Sequence, residues 1–306
     1  MQIIENIGLM LYKNKIRPFF IIAATASKRW WAKDPFMQSA VIAYYAIFSI
    51  PGLLVMIISI STLFFQRDTI TDNLFKQMSS LLGAESATQV KGMIISISET
   101  KKSLIATIIG LITVLIGATG VFVELQKALN IIWEVKAKPR RAILTVLRTR
   151  LFSFGLILSI GFLLLISLTI STILSAMSFW VINHWADMAI MIFYILNFVL
   201  SFGVILIMFA LMFKILPDAK IKWSHLWFGS VITTLLFLLG KTAIGYYLAK
   251  TNPGSAYGAA GSVVLILLWT SYSSMIFFFG AEITRAYADH ITGKVAPTEI
   301  AVKVVK

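Results

Sequence analysis

The sequence predicts an all-α, polytopic membrane protein with six transmembrane helices, an N-terminal interfacial helix and an external amphipathic helical hairpin. Three observations carry that prediction. First, 58% of the 306 residues are hydrophobic and only 13% are charged, with a mean hydropathy of +0.88, whereas soluble domains are about 25% charged. Second, six stretches are long and apolar enough to cross a hydrocarbon core, which takes about 20 residues in a helix. Third, 20 of the 27 Lys and Arg residues fall in segments that the six spans place on one face.

Taken in order, residues 1–36 form a cytoplasmic interfacial segment. Ile3, Ile4, Ile7 and Leu11 share a helical face, and the apolar run 19–24 is too short to span. Lys13, Lys15 and Arg17 follow rather than precede the first apolar residues, so a cleaved signal peptide is not expected. The six-helix domain occupies 37–290, with spans at 37–65, 103–123, 151–177, 188–213, 226–248 and 258–281. Trp180, Asn183, His184 and Trp185 read as an interfacial turn between the third and fourth spans. The connector 66–102 shows helical periodicity at Ile70, Leu74, Met78 and Leu81, and again at Val90, Met93, Ile94 and Ile97. Ser86 to Gln89 has the spacing of a capping box that would open the second helix of this hairpin. Residues 291–306 form a cytoplasmic tail.

Charge then orients the protein. Basic residues accumulate on cytoplasmic flanks, so both termini are expected in the cytoplasm. The net charge of +14 reads as a cationic collar at the inner leaflet. Anionic lipid headgroups are the expected partners rather than nucleic acid.

Several chemistries lack their motifs. There is no GxxxxGK[ST] phosphate cradle, so no bound nucleotide is expected. The chain has no cysteine, and His184, His225 and His290 are scattered over span ends without metal-ligand spacing. No cofactor, metal or catalytic residue is assigned, and the protein is not read as an enzyme. Thr242 to Tyr246 has a faint likeness to a potassium filter, but Tyr247 stands where the final glycine would be.

A smaller set of residues is informative. Pro51-Gly52 lies within the first span, where proline removes a helical hydrogen bond and predicts a kink, either a static bend or backbone lining a cavity. Tyr44 and Tyr45 precede it by one to two turns and, if buried, need partners for their hydroxyls. Gly117 and Gly120 form a small-residue face leading to Glu124, as expected for close helix contact. Ser271, Ser274 and Glu282 share a face of the last span, whose outer start carries Gly258 and Gly261. Lys127 and Arg285 each follow one glutamate by three positions. Intrahelical pairing and a cross-helix inner gate built from Glu124, Lys127, Glu282 and Arg285 both fit that spacing. Lys241 interrupts the fifth span. It either snorkels outward or binds an anionic headgroup.

Four blocks, SAVIAYYAIFSIPGLL (39–54), GATGVFVELQKALNIIWEV (117–135), LPDAKIKW (216–223) and YGAAGSVVLILLWTSYSSMIFFFGAEITRAYADH (257–290), resemble hallmark segments of the YihY/BrkB family of bacterial inner-membrane proteins. The resemblance implies six spans with cytoplasmic termini and no established enzyme activity, an older ribonuclease BN label being regarded as mistaken. Links of some members to serum resistance or to lipid and lipopolysaccharide transport make envelope biogenesis the expected setting. The favoured reading is a transporter or flippase of an anionic lipid or amphiphile, with Tyr44, Tyr45, Pro51, Gly52, Lys241, Ser271 and Ser274 as cavity candidates. The alternatives are a non-transporting scaffold for envelope assembly and a membrane enzyme.

Overall fold

The computed structural model describes residues 17–61, 104–138, 187–251, 261–293 and 295–304, with six single positions between 75 and 92 and at 257. The first sixteen residues, the third span, the interfacial turn at 180–185 and nearly all of the expected external hairpin lie outside the described residues, as does Gly258.

The described elements are α1 (Arg17–Trp31), α2 (Pro35–Ser61), α3 (Leu104–Trp133), β1 (Val135–Ala137), α4 (Asp187–Ile215), α5 (Trp223–Thr251), α6 (Gly261–Thr292) and β2 (Ala301–Lys303). Long apolar stretches account for the helices, because backbone groups that water cannot reach must bond within their own segment. Among the described residues, three stretches are long and apolar enough to cross a membrane, Phe198–Ile215, Trp223–Tyr247 and Val263–Thr292. Helix α2 continues through Pro51-Gly52 to Ser61 as one element; the side chains from 50 to 61 lie outside the described residues.

Local chemistry sets the boundaries. Asp34, at φ 47°, turns the chain between α1 and α2, and Pro35 opens α2 in the first turn, where a missing N–H costs nothing. Glu134, at φ 53°, ends α3, and Gly293, at φ 77°, follows α6 as a left-handed cap.

Helix α6 is the centre of the bundle, packing against α1, α2, α3 and α5, while α4 packs on α5. The main core includes Leu129 and Ile132 of α3, Phe213 of α4, Leu226 of α5 and Phe278 of α6. Phe213 stacks on Phe277 with centroids 5.0 Å apart, and Phe209 meets Phe237 edge-on at 5.6 Å, so aromatic rings tie α4, α5 and α6 together. A second cluster seats Ile22 and Ala26 of α1 on Ile283 and Ala286 of α6. Phe19, Phe20 and Ile21 remain on the open side of α1.

Hydropathy gave no sign of a small sheet. Strands β1 and β2 pair antiparallel, with Val135 opposite Lys303 and Ala137 opposite Ala301, and Ala219 forms a bridge with Pro297. The segment 295–304, expected as a tail, therefore folds back over the ends of α3 and α4. That end of the bundle, which also holds the α1–α2 turn, is termed the polar end below.

Candidate functional site

The last turn of α3 leaves carbonyl oxygens without intrahelical donors and carries the negative end of the helix dipole. Two cations from separate elements converge there. Lys33, in the α1–α2 turn, donates through Nζ to the Ile132 carbonyl at 3.2 Å, and the Arg285 guanidinium of α6 donates to the same oxygen. Lys33 also pairs with Glu282 Oε1 at 2.5 Å, and Arg285 with Glu134 Oε2 at 2.8 Å. Asp289 accepts from Arg29 of α1 at 2.7 Å and lies 3.6 Å from Arg285 Nε.

Three cations and three carboxylates are thus joined around one helix end. The Glu282 side chain is fully buried, and Arg285 is 6% exposed. Burial pushes the Lys33 ammonium below its ordinary pKa, and the Glu282 carboxylate opposes that shift. Such a network locks elements together because removing one member strands its partner in a poorly solvated place.

A second joint lies beside it, without an ion pair. Asp218, in the short α4–α5 connection, accepts from Asn130 Nδ2 at 2.8 Å and from Gln126 Nε2 at 3.3 Å. Its own N–H donates to Asn130 Oδ1 at 2.8 Å. The Asp218 carbonyl accepts from the Thr298 N–H at 2.9 Å and hydroxyl at 3.1 Å. One aspartate therefore connects α3, the α4–α5 connection and the C-terminal segment.

The expected four-residue inner gate divides in two. Glu124 pairs with Lys127 of its own helix at 2.7 Å, and the Lys127 side chain is 61% exposed. Glu282 reaches Lys33 instead of Arg285, and Arg285 turns to Glu134, Asp289 and the α3 carbonyl. The physical reason is that a buried carboxylate at Glu282 and a helix C-terminus opposite it favour cross-element partners over a solvated i,i+3 pair.

The other candidates also separate. Tyr44 is 58% exposed, whereas Tyr45, next along the helix and rotated by about 100°, faces α3. A Cβ at Gly120 would collide with the Tyr45 ring, and one at Gly117 would meet the α2 backbone, 3.0 Å from Ser49 N. These glycines make the close α2–α3 contact. Gly261 is buried at the start of α6, Ser274 is buried and Ser271 is half-buried.

Lys241 is half-buried on α5. A Cβ at Gly240 would meet the Tyr272 hydroxyl at 2.6 Å, so Lys241 lies at the level of Ser271–Ser273 on antiparallel α6. The buried Ser273 hydroxyl has no hydrogen-bond partner among the described residues. Lys241 follows Trp223 by 18 positions, about 27 Å along a helix, which places this polar layer far from the polar end.

Lys33, Glu134, Asn130, Asp218, Asp289 and Thr298 were not identified as site residues by sequence patterning. The Asp34-Pro35 turn signal and the Asp218 block mark their neighbourhoods, but nothing in residue spacing pairs positions 80 to 260 apart. Among the described residues, no group of three or more His, Asp or Glu side chains could hold a metal ion.

Comparison with known proteins places these features in a family. The family model described as "Virulence factor BrkB" matches residues 26–301. A UPF0761 membrane protein of Saccharophagus degradans is 28% identical over 255 residues, covering 82% of this chain and 56% of that protein. A UPF0761 membrane protein of Pseudomonas aeruginosa is 32% identical over 179 residues, covering 57% of this chain and 41% of that protein. The Pasteurella multocida relative is 29% identical over 188 residues, covering 60% of this chain and 54% of that protein. The chain spans about half the length of these curated relatives. No solved structure matches. The match across residues 26–301 shows that this membrane protein belongs to the BrkB family.

Proposed function

We propose that the chain is a six-span protein of the bacterial inner membrane, with both termini cytoplasmic, that moves an anionic lipid or amphiphile for envelope biogenesis. The observation that carries this reading is Lys241, a half-buried ammonium with no ion pair among the described residues, level with Ser271 and Ser273. A cation some 27 Å from the polar end stands near the far headgroup boundary of a hydrocarbon core about 30 Å thick. An anionic headgroup supplies the counter-charge that the described protein does not. The polar end, with its excess of basic residues, becomes the cytoplasmic face, and α1, with Phe19, Phe20 and Ile21 outward, lies in the inner interface.

Native mass spectrometry of the purified protein tests this reading, together with movement of a fluorescent anionic phospholipid in reconstituted vesicles. The parent should retain anionic lipid and move the probe. Lys241→Met should lose both at normal expression, and Lys241→Arg should keep part of each. Parent-like behaviour of Lys241→Met overturns the site. Orientation is checked separately: a reporter after residue 306 should be active only in a cytoplasmic format, and one near Gly83 only in an external format.

A scaffold reading is favoured by the backbone contact of α2 with α3 at Gly117 and by the ionic joint at the polar end. It expects tightly held lipid or a protein partner but no probe movement.

A further inference from the structure

The two oxygens of Glu282 have unequal surroundings. Oε1 receives Lys33, while Oε2, buried with the rest of the side chain, has no hydrogen-bond partner among the described residues. A carboxylate inside a protein ordinarily fills both oxygens with donors. A buried carboxylate oxygen without a donor leaves the ionised form poorly stabilised, so this site suits a group that takes up a proton.

The surrounding charges determine which group responds to that proton. Lys33, Arg285 and Arg29 act on Glu282, with Glu134 and Asp289 balancing Arg285 and Arg29. Helix α2 has no charged residue between Pro35 and Ser61, and the nearest titratable ring on α5, His225, meets Tyr287. With Glu282 ionised, the three cations face three carboxylates. With Glu282 neutral, Arg285 keeps Glu134, and Arg29 keeps Asp289. Lys33 alone loses its direct carboxylate partner and keeps the Ile132 carbonyl and the weaker attraction of Glu134. A partly buried ammonium without a directly paired carboxylate is unfavourable, so Lys33 leaves.

We propose that Glu282 is a proton-binding site that operates the joint between the α1–α2 turn and α6: the carboxylate holds Lys33 in place, and protonation releases the turn. Because α2 starts two residues after Lys33, the released turn frees the end of a helix that packs against both α3 and α6. Release of the turn is independent of what the protein moves, so the test reads conformation rather than transport.

The chain has no cysteine, so two spin labels can be placed specifically in the full-length protein through Ala32→Cys and His290→Cys. Both positions are exposed, one on the turn and the other near the end of α6. Pulsed electron–electron distance measurements in lipid nanodiscs at about pH 8 and about pH 5 should give one short distance at the higher pH. A second, longer population should grow at the lower pH. Added Glu282→Gln, which is neutral at both pH values, should show the longer population at both. Should Glu282→Gln fold poorly, the pH comparison of the labelled parent stands alone. An unchanged distribution in the parent, or a Glu282→Gln protein that stays short or still responds to pH, overturns the proposal.

Discussion

The Thr284 hydroxyl on α6 occupies the space that a side chain at Gly229 of α5 would fill. Thr233 of α5 and Gly280 of α6 repeat the relationship in reverse, so the two helices interlock through a reciprocal pair of threonines and glycines. Each threonine donates back to the carbonyl four residues earlier, Thr233 to Gly229 at 2.6 Å and Thr284 to Gly280 at 2.8 Å. Their polar groups are thereby satisfied inside an apolar contact.

Gly229→Ala should therefore push α5 from α6. Overpacking a well-filled contact costs about 1–3 kcal/mol. Thermal unfolding in detergent should show a clear loss, and adding Thr284→Ala should recover part of it because the clashing hydroxyl is gone while the α6 backbone remains close. Full recovery, or no initial loss, would contradict the interlock.

The two cations of the expected gate should behave very differently. Lys127 sits in an exposed i,i+3 pair, so Lys127→Glu should change stability by less than about 1 kcal/mol. Arg285→Met strips a buried partner from Glu134 and from the end of α3, a loss of about 3–5 kcal/mol. Comparing the two midpoints in one detergent checks the ordering, and equal shifts would refute it.

Asp218→Ala should loosen the C-terminal segment although residue 218 lies about 80 positions earlier. It leaves Asn130 Nδ2 without its partner, a cost of about 1–3 kcal/mol, and disturbs the backbone that receives Thr298. Amide exchange at Lys220 and Thr298 should accelerate. Thr298→Ala keeps the backbone bond and should have the smaller effect.

At the α2–α3 contact, Gly120→Ala meets the Tyr45 ring first, whereas Gly117→Ala meets backbone atoms of Phe48 and Ser49. Tyr45→Ala should restore folded yield to Gly120→Ala. The same change should do nothing for Gly117→Ala, because truncating a side chain elsewhere cannot move the α2 backbone. Equal rescue of both would place the helices farther apart than described.

Residue order alone determined that this is a membrane protein of long apolar helices, and it marked Gly117 and Gly120 as contact positions. Hydrophobic length and small-residue spacing are local properties, legible within one helix. The Glu124–Lys127 intrahelical pair was legible as one of two options, for the same reason. Which partner Glu282 takes was decided only by tertiary structure. Lys33 lies 249 positions away, and the Ile132 carbonyl that gathers Lys33 and Arg285 is a backbone group that no side-chain pattern announces. The β1–β2 pairing is similar: three-residue strands have too little periodicity to be seen, and they form because folding brings Val135 and Lys303 side by side. Burial then fixes the result, since a charge or strand edge excluded from water must take whichever partner the packed helices place beside it.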